Sequence, residues 1–196
     1  MKKRDLILLT IGFIVLVFSF FVDDAIAVNF QNLHTSWLTY FFSWITNIGS
    51  VFVILFIITS LFLYEEKKRE WIPFLWLSFF TSIIVGYILK FLVARPRPYD
   101  VLHNVVALAT ETTYSFPSLH TMIAFAALPI LDREFRQIHW FWIIFAVLVA
   151  FSRMYIGVHY LSDILAGAIM GYLIGWAYMK LELKEKWFVK WNLKRL

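Results

Sequence analysis

The sequence predicts an all-α fold: an integral membrane bundle of six transmembrane helices, both termini cytoplasmic, with an interfacial helix between spans one and two. Three observations lead there. The 196 residues are 61% hydrophobic, with a mean hydropathy of +0.74, whereas about half of a soluble domain is apolar. The apolar residues gather into stretches close to the ~20 residues that a helix needs to cross a bilayer. Fourteen of the eighteen basic residues fall in alternate gaps between those stretches.

The first stretch covers residues 6–22 and follows Lys2, Lys3 and Arg4. That start resembles a secretion signal, but Phe21, Val22, Asp23 and Asp24 make a poor small-residue cleavage site, so an uncleaved span is expected. The second stretch begins between residues 45 and 51 and ends near Tyr64. Between them, residues 23–47 mix Asp, Asn, Gln and His with Trp37, Tyr40, Phe41, Phe42 and Trp44. That spacing suggests a helix lying at headgroup depth, where Trp and Tyr are favoured, or else an early start to span two. The remaining spans are expected at 71–93, 118–131, 139–155 and 160–179.

The basic residues orient the bundle. Lys2, Lys3 and Arg4, then Lys67, Lys68 and Arg69, then Arg133 and Arg136, then the C-terminal run from Lys180 to Arg195 all lie on one side of an even number of spans. The excess of Lys and Arg on cytoplasmic loops assigns that side and both termini to the cytoplasm. Lys90, Arg95, Arg97 and Arg153 are left on the opposite, non-cytoplasmic side. Charges near membrane depth are costly and point to function.

The formal charge of +5 therefore reads as topology. No basic stripe of the kind a nucleic-acid surface needs is present. Cysteine is absent, which excludes disulfides and Cys-based zinc sites. Without repeat, low-complexity tract or linker, residues 1–196 read as one membrane domain. The long stretch 94–116, with Asp100, His103 and Glu111, is a loop of the length that usually carries a role.

Three segments hold the chemistry: 90–98, 117–120 and 152–163. All fall at the non-cytoplasmic ends of spans three to six, so they can converge. Lys90, Arg97 and Arg153 bring three positive charges, and Asp163 is the sole carboxylate within the segments. Guanidinium forks suit phosphate oxygens. Ser118 opens a helix just after Pro117, where backbone N–H groups favour an anion. Each cation alone could be snorkelling to the interface; three beside two histidines argue for a site.

His159 and Asp163 are four apart and share a helical face. The carboxylate can hold one ring N–H and leave the other nitrogen to attack. His120, one turn into another helix, can protonate a leaving oxygen. Two His and one Asp could also bind zinc, but the three cations oppose a metal, so no metal and no cofactor are expected. His34, His103 and His139 have weaker claims, as loop, interface and helix-start residues.

These segments resemble the signature of the type 2 phosphatidic acid phosphatase superfamily of membrane lipid phosphatases. That signature is Lys, six residues, Arg-Pro; Pro-Ser-Gly-His; and Ser-Arg, five residues, His, three residues, Asp. Lys90 with Arg97-Pro98, Pro117-Ser118-Leu119-His120, and Ser152-Arg153 with His159 and Asp163 match ten of the eleven fixed positions. The resemblance implies His159 as the nucleophile that becomes phosphohistidine, Asp163 as its orienting partner and His120 as the acid. It implies Lys90, Arg97, Ser118, Leu119 and Arg153 as phosphate ligands, without metal. The departure is Leu119, where the family has Gly. Leu keeps its backbone N–H and favours helix, so the phosphate contact survives if the side chain points away. Arg95, next to the signature, is read as a headgroup contact rather than a ligand for a second phosphate.

The expected substrate is a lipid phosphate or diphosphate at the outer face of the cell membrane, polyprenyl diphosphate first, then phosphatidylglycerol phosphate or phosphatidate. A lipid phosphotransferase using the same phosphohistidine is the alternative. A transporter or binding protein fits less well, since the charges cluster at one face.

Overall fold

The computed structural model describes residues 3–47 and 53–185. Among them every regular element is helical. Lys2, the basic residues beyond 185 and the expected start of span two up to residue 51 lie outside, or partly outside, the described residues.

Helix α1, Lys3–Gln31, runs well past the expected end at 22. The expected span stops just before Asp23 and Asp24. No Gly or Pro follows them before Asn32, and Asp23 is buried against Arg95 and Ser162, so a satisfied carboxylate continues the helix. The continuation presents Ala27, Val28 and Phe30 to the core. The separate helix expected within 23–47 is therefore only α2, Ser36–Thr46, capped by the Thr35 hydroxyl, which accepts from Leu38 N at 3.4 Å. Leu38, Phe41, Phe42 and Ile45 turn inward. Trp37, Tyr40 and Trp44, at helical spacing, stand out with 71%, 78% and 54% exposure.

A π-helical stretch, Val53–Ile58, continues as α3, Thr59–Glu65. Helix α4, Trp71–Val93, has the expected limits and ends on Ala94 in the left-handed region, whose N–H reaches Lys90 O at 2.9 Å. A short α5, Pro98–Val101, starts the loop that leads to α6, Leu119–Glu134. Helix α7, His139–Tyr155, again has the expected limits, and α8, Leu161–Glu185, runs beyond the expected 179 because its polar end is still made of good helix formers. Among the described residues, four helical stretches are long and apolar enough to cross a membrane: Thr10–Gln31, Trp71–Val101, Arg136–Tyr155 and Leu161–Leu183. The apolar helix Leu55–Glu65 is shorter, and α6 has 16 residues.

Helix α6 is the axis of the bundle. Met122, Ala124, Ala126, Ala127, Ile130 and Leu131 are buried, and its widest contact is with α8. Gly167, Gly171 and Gly175 repeat every fourth residue on α8 and lie against the α6 backbone. A Cβ on Gly171 would stand 2.1 Å from Met122 O, and one on Gly175 2.0 Å from Ala126 O. Small residues at this spacing let two membrane helices touch backbone to backbone. That contact fixes the start of α6 against the start of α8: Ser118 N donates to Asp163 O at 3.0 Å.

Candidate active site

The three segments meet where α4 and α7 end and α6 and α8 begin. Lys90 is buried in the last turn of α4, and its ammonium donates to the carbonyls of Tyr114 and Ser115. Arg97 is buried beyond it. Its Nε donates to Thr113 O at 2.7 Å and its Nη1 to Val158 O at 2.9 Å. These two cations thus hold residues 113–115 of the long loop against the residue preceding His159. Arg153, in the last turn of α7, donates to Thr46 Oγ1 and Glu111 Oε1, while its Nε is buried with no hydrogen-bond partner among the described residues. Gly157, at φ +75°, makes the turn that carries the chain from Arg153 to His159.

His159 is buried in that turn. Its Nδ1 lies 3.3 Å from Asp163 Oδ2 and 3.4 Å from Ser115 Oγ. Asp163 Oδ2 also accepts from Ser115 Oγ, and from Tyr160 N at 2.9 Å. With Nδ1 directed to the carboxylate, Nε2 carries the free lone pair. Burial, and after it the positive charges of Arg153, Lys90 and Arg97, holds the imidazole well below the ordinary histidine range. His120 enters the same electrostatic neighbourhood from α6, within reach of Arg153, His159, Lys90 and Arg97.

Ser118 is the N-cap of α6. Its hydroxyl accepts from Thr121 Oγ1 at 3.0 Å, and its N–H is taken by Asp163 O. The N–H groups left open at this terminus are those of the first turn, beginning with Leu119. The Leu119 side chain lies over Gly86 of α4, with Cδ1 2.8 Å from where a Cβ on Gly86 would stand. The bulk added at 119 is thus accommodated by bulk missing at 86.

Two expectations change. Arg95 is no headgroup contact: Nη2 bonds Asp23 Oδ2 and Nη1 bonds Asp163 Oδ1, each at 2.7 Å. Within the segments Asp163 is the sole carboxylate, but the folded site also receives Glu111 from the loop and Asp23 from α1. The cationic excess is smaller than the segments suggest. Ser115, Thr46, Glu111 and Asp23 carry no sequence signal of membership in the site, because each arrives through a contact distant along the chain. His34 sits in the turn between α1 and α2 and bonds Tyr155 O at 2.7 Å; His139 Nδ1 bonds Arg136 O.

An opening of about 500 Å³ is lined by Phe91, Arg95, Arg97, Asp100, Glu111 and Tyr114, among others. It reaches the outer side of Arg97 and Glu111, while neither His120 nor His159 lines it.

The family model of the PAP2 superfamily matches residues 71–187. An undecaprenyl-diphosphatase of Sulfolobus acidocaldarius is 33% identical over 129 residues, 64% of this chain and 62% of that protein. This chain thus spans less than two thirds of that relative's length. Phosphatidylglycerophosphatase B of Bacillus subtilis is 29% identical over 182 residues, 85% of this chain and 86% of that protein. Among solved structures, a transmembrane PAP2-type phosphatidylglycerolphosphate phosphatase from Bacillus subtilis superposes with a TM-score of 0.73 at 26% identity, covering 91% of this chain and 96% of that one. With this likeness and its long apolar helices, the chain is a multi-pass membrane protein.

Proposed function

This chain belongs to the PAP2 superfamily, and on that premise we propose that it is a membrane lipid phosphatase working through a phosphohistidine at His159. The observation that carries the reading is a buried imidazole with Nδ1 turned to a carboxylate inside a shell of Lys90, Arg97 and Arg153.

In the proposed reaction His159 Nε2 attacks phosphorus in line with the leaving oxygen. The P–N bond forms as the P–O bond breaks, and His120 gives its proton to the departing oxygen. Asp163 stabilises the charge that develops on the imidazole. Lys90, Arg97, Arg153 and the N–H of Leu119 take the equatorial oxygens, where preorganised donors act most strongly. Water then attacks the phosphorus and gives its proton to His120; the P–N bond breaks and inorganic phosphate leaves. The buried Nε of Arg153, without a partner among the described residues, is a donor that a phosphoryl oxygen satisfies.

A lipid substrate is supported by the apolar helices around the site. Polyprenyl diphosphate is the first choice, supported by the undecaprenyl-diphosphatase relative, and phosphatidylglycerol phosphate the second, supported by the Bacillus relatives. The positive-inside pattern supports six spans, cytoplasmic termini and a site facing the opposite side; the exposed stripe of Trp37, Tyr40 and Trp44 supports α2 lying at the interface.

The test is phosphate release from lipid mono- and diphosphates of matched tail by detergent-purified protein in EDTA. Activity is expected with EDTA and lost by about a thousandfold or more in His159→Ala, the scale on which removed nucleophiles act. Undiminished turnover by His159→Ala would overturn the mechanism.

A further inference from the structure

We propose that Asp23 and Arg95 are positioning residues of the catalytic centre: a carboxylate carried on α1 that, through one guanidinium, sets the orientation and charge of Asp163. The inference rests on the reading of His159 as nucleophile. It concerns a residue, Asp23, that lies outside the stretch matched by the family model.

Arg95, Asp23 and Ser162 close a hydrogen-bonded ring, and Arg95 extends it to Asp163. Arg95 Nη2 donates to Asp23 Oδ2 at 2.7 Å, and Nη1 donates to Asp163 Oδ1 at 2.7 Å and to Ser162 Oγ at 2.6 Å. Ser162 returns two donors to Asp23, its N–H to Oδ1 at 2.9 Å and its hydroxyl to Oδ2. Asp23, Ser162 and Asp163 are all buried. The guanidinium carbon lies over two aromatic rings, 4.0 Å from the centroid of Tyr160 and 5.3 Å from that of Phe20. A planar fork gripped at both ends cannot rotate away from either carboxylate.

This geometry does two things to Asp163. First, it occupies Oδ1, so that Oδ2 is the oxygen turned to His159 Nδ1, Ser115 Oγ and Tyr160 N. A carboxylate with Oδ1 released could swing and take the imidazole with it. Second, it preserves the negative charge. Arg95 facing Asp163 alone would form a neutral pair and weaken the stabilisation of a developing imidazolium. Asp23 supplies the second negative charge, leaving the trio of two carboxylates and one guanidinium with a net charge of −1. A partly buried Arg bridging two buried carboxylates is otherwise an expensive way to hold α1 to α8, since burying charges gives little net stability over apolar packing.

The two substitutions pull the site in opposite electrostatic directions. Among the described residues, the charged or titratable groups around His159 are Lys90 from α4, Arg97 from the loop, His120 from α6, Arg153 from α7 and Asp163 from α8, with Glu111 behind Arg97 and Arg153, and Arg95 and Asp23 behind Asp163. Asp23→Asn removes a negative charge and moves the acidic limb of kcat/KM to lower pH. Arg95→Gln removes a positive charge and moves it to higher pH. Both lower kcat by about tenfold or more, the scale on which groups orienting a histidine act, with KM within about twofold. Arg95→Lys, which keeps charge but loses the fork, recovers the wild-type limb but not the wild-type kcat.

The experiment measures pH profiles and the split of kcat from KM for these three variants, the double variant Asp23→Asn with Arg95→Gln, and His159→Ala, each checked for a monodisperse folded state in detergent. Opposite limb shifts with reduced kcat support the proposal. Unchanged kcat and limb in Asp23→Asn and Arg95→Gln overturn it, as does a wild-type kcat in the double variant. The double variant removes both charges together and reads the same question if a single variant fails to fold. An active His159→Ala would instead overturn the underlying mechanism, so the two failures are distinguishable.

Discussion

The nucleophile proposed at His159 is shielded from protonation by its surroundings. Burial and three nearby cations lower its affinity for a proton, so it stays neutral into mildly acidic solution. The sign follows directly: nucleophilic competence is present above the folded-state value and lost as pH falls through it. The acidic limb of kcat/KM, which reports the free enzyme, is therefore expected below about 6.5, the ordinary histidine value. A limb at or above that value would contradict the electrostatics. The same shift affects stability: the unfolded chain takes up a proton on this residue below about pH 6.5 while the folded chain does not, so acidification favours unfolding from there downward. At this scale the sequence was informative wherever chemistry sits in local spacing. His159 and Asp163 are four positions apart, and although His159 lies in the turn before α8 and not on the helix, that spacing brings them together; Ser118 stands at a helix start. It misplaced Arg95, read as a headgroup contact, because its ion-pair partners Asp23 and Asp163 are 72 and 68 positions away, and it gave no partner for Arg153, which meets Glu111 and Thr46 only through the fold.

At the scale of elements, the contact of α6 with α8 sets the distance between the residues proposed as acid and nucleophile. His120 lies just inside α6 and His159 just before α8, with the glycine stripe between their backbones. Gly171→Ala drives a methyl into Met122 O, an atom of backbone that cannot rotate aside. The expected cost is about 1–3 kcal/mol or more, seen as a lowered Tm in detergent together with lost turnover. Gly12→Ala is the internal contrast: its Cβ would meet Ile169 at an ordinary 3.6 Å, and helix propensity favours Ala by about 0.8–1.0 kcal/mol. A Tm unchanged in Gly171→Ala, or lowered equally in both, would refute the packing argument. Spans with clear ends, α4 and α7, were legible from sequence because charged or turn-forming residues bracket an unbroken apolar run. The end of α1 was not, because two aspartates look like a terminus until Arg95 and Ser162 are seen to satisfy one of them. The Leu119–Gly86 pairing was equally hidden, being a match of volumes between separate helices.

The molecule as a whole combines a bilayer-facing exterior with a polar centre close to one end. Exposed Phe, Ile, Leu and Val on α1, α4 and α7 meet lipid, while nearly every cation that the positive-inside pattern leaves over is gathered in one buried network. A fusion-reporter or accessibility assay on the N-terminus and on the turn between α3 and α4 is expected to find both on the cytoplasmic side, and opposite sidedness of the two would break the six-span topology. The central claim is chemical, and trapping the intermediate tests it most directly. Protein incubated briefly with a lipid diphosphate labelled in its terminal phosphate, then quenched in base and digested, is expected to carry acid-labile label on the peptide containing His159 and none in His159→Ala. Label on another residue, or label and turnover that persist in His159→Ala, would contradict it.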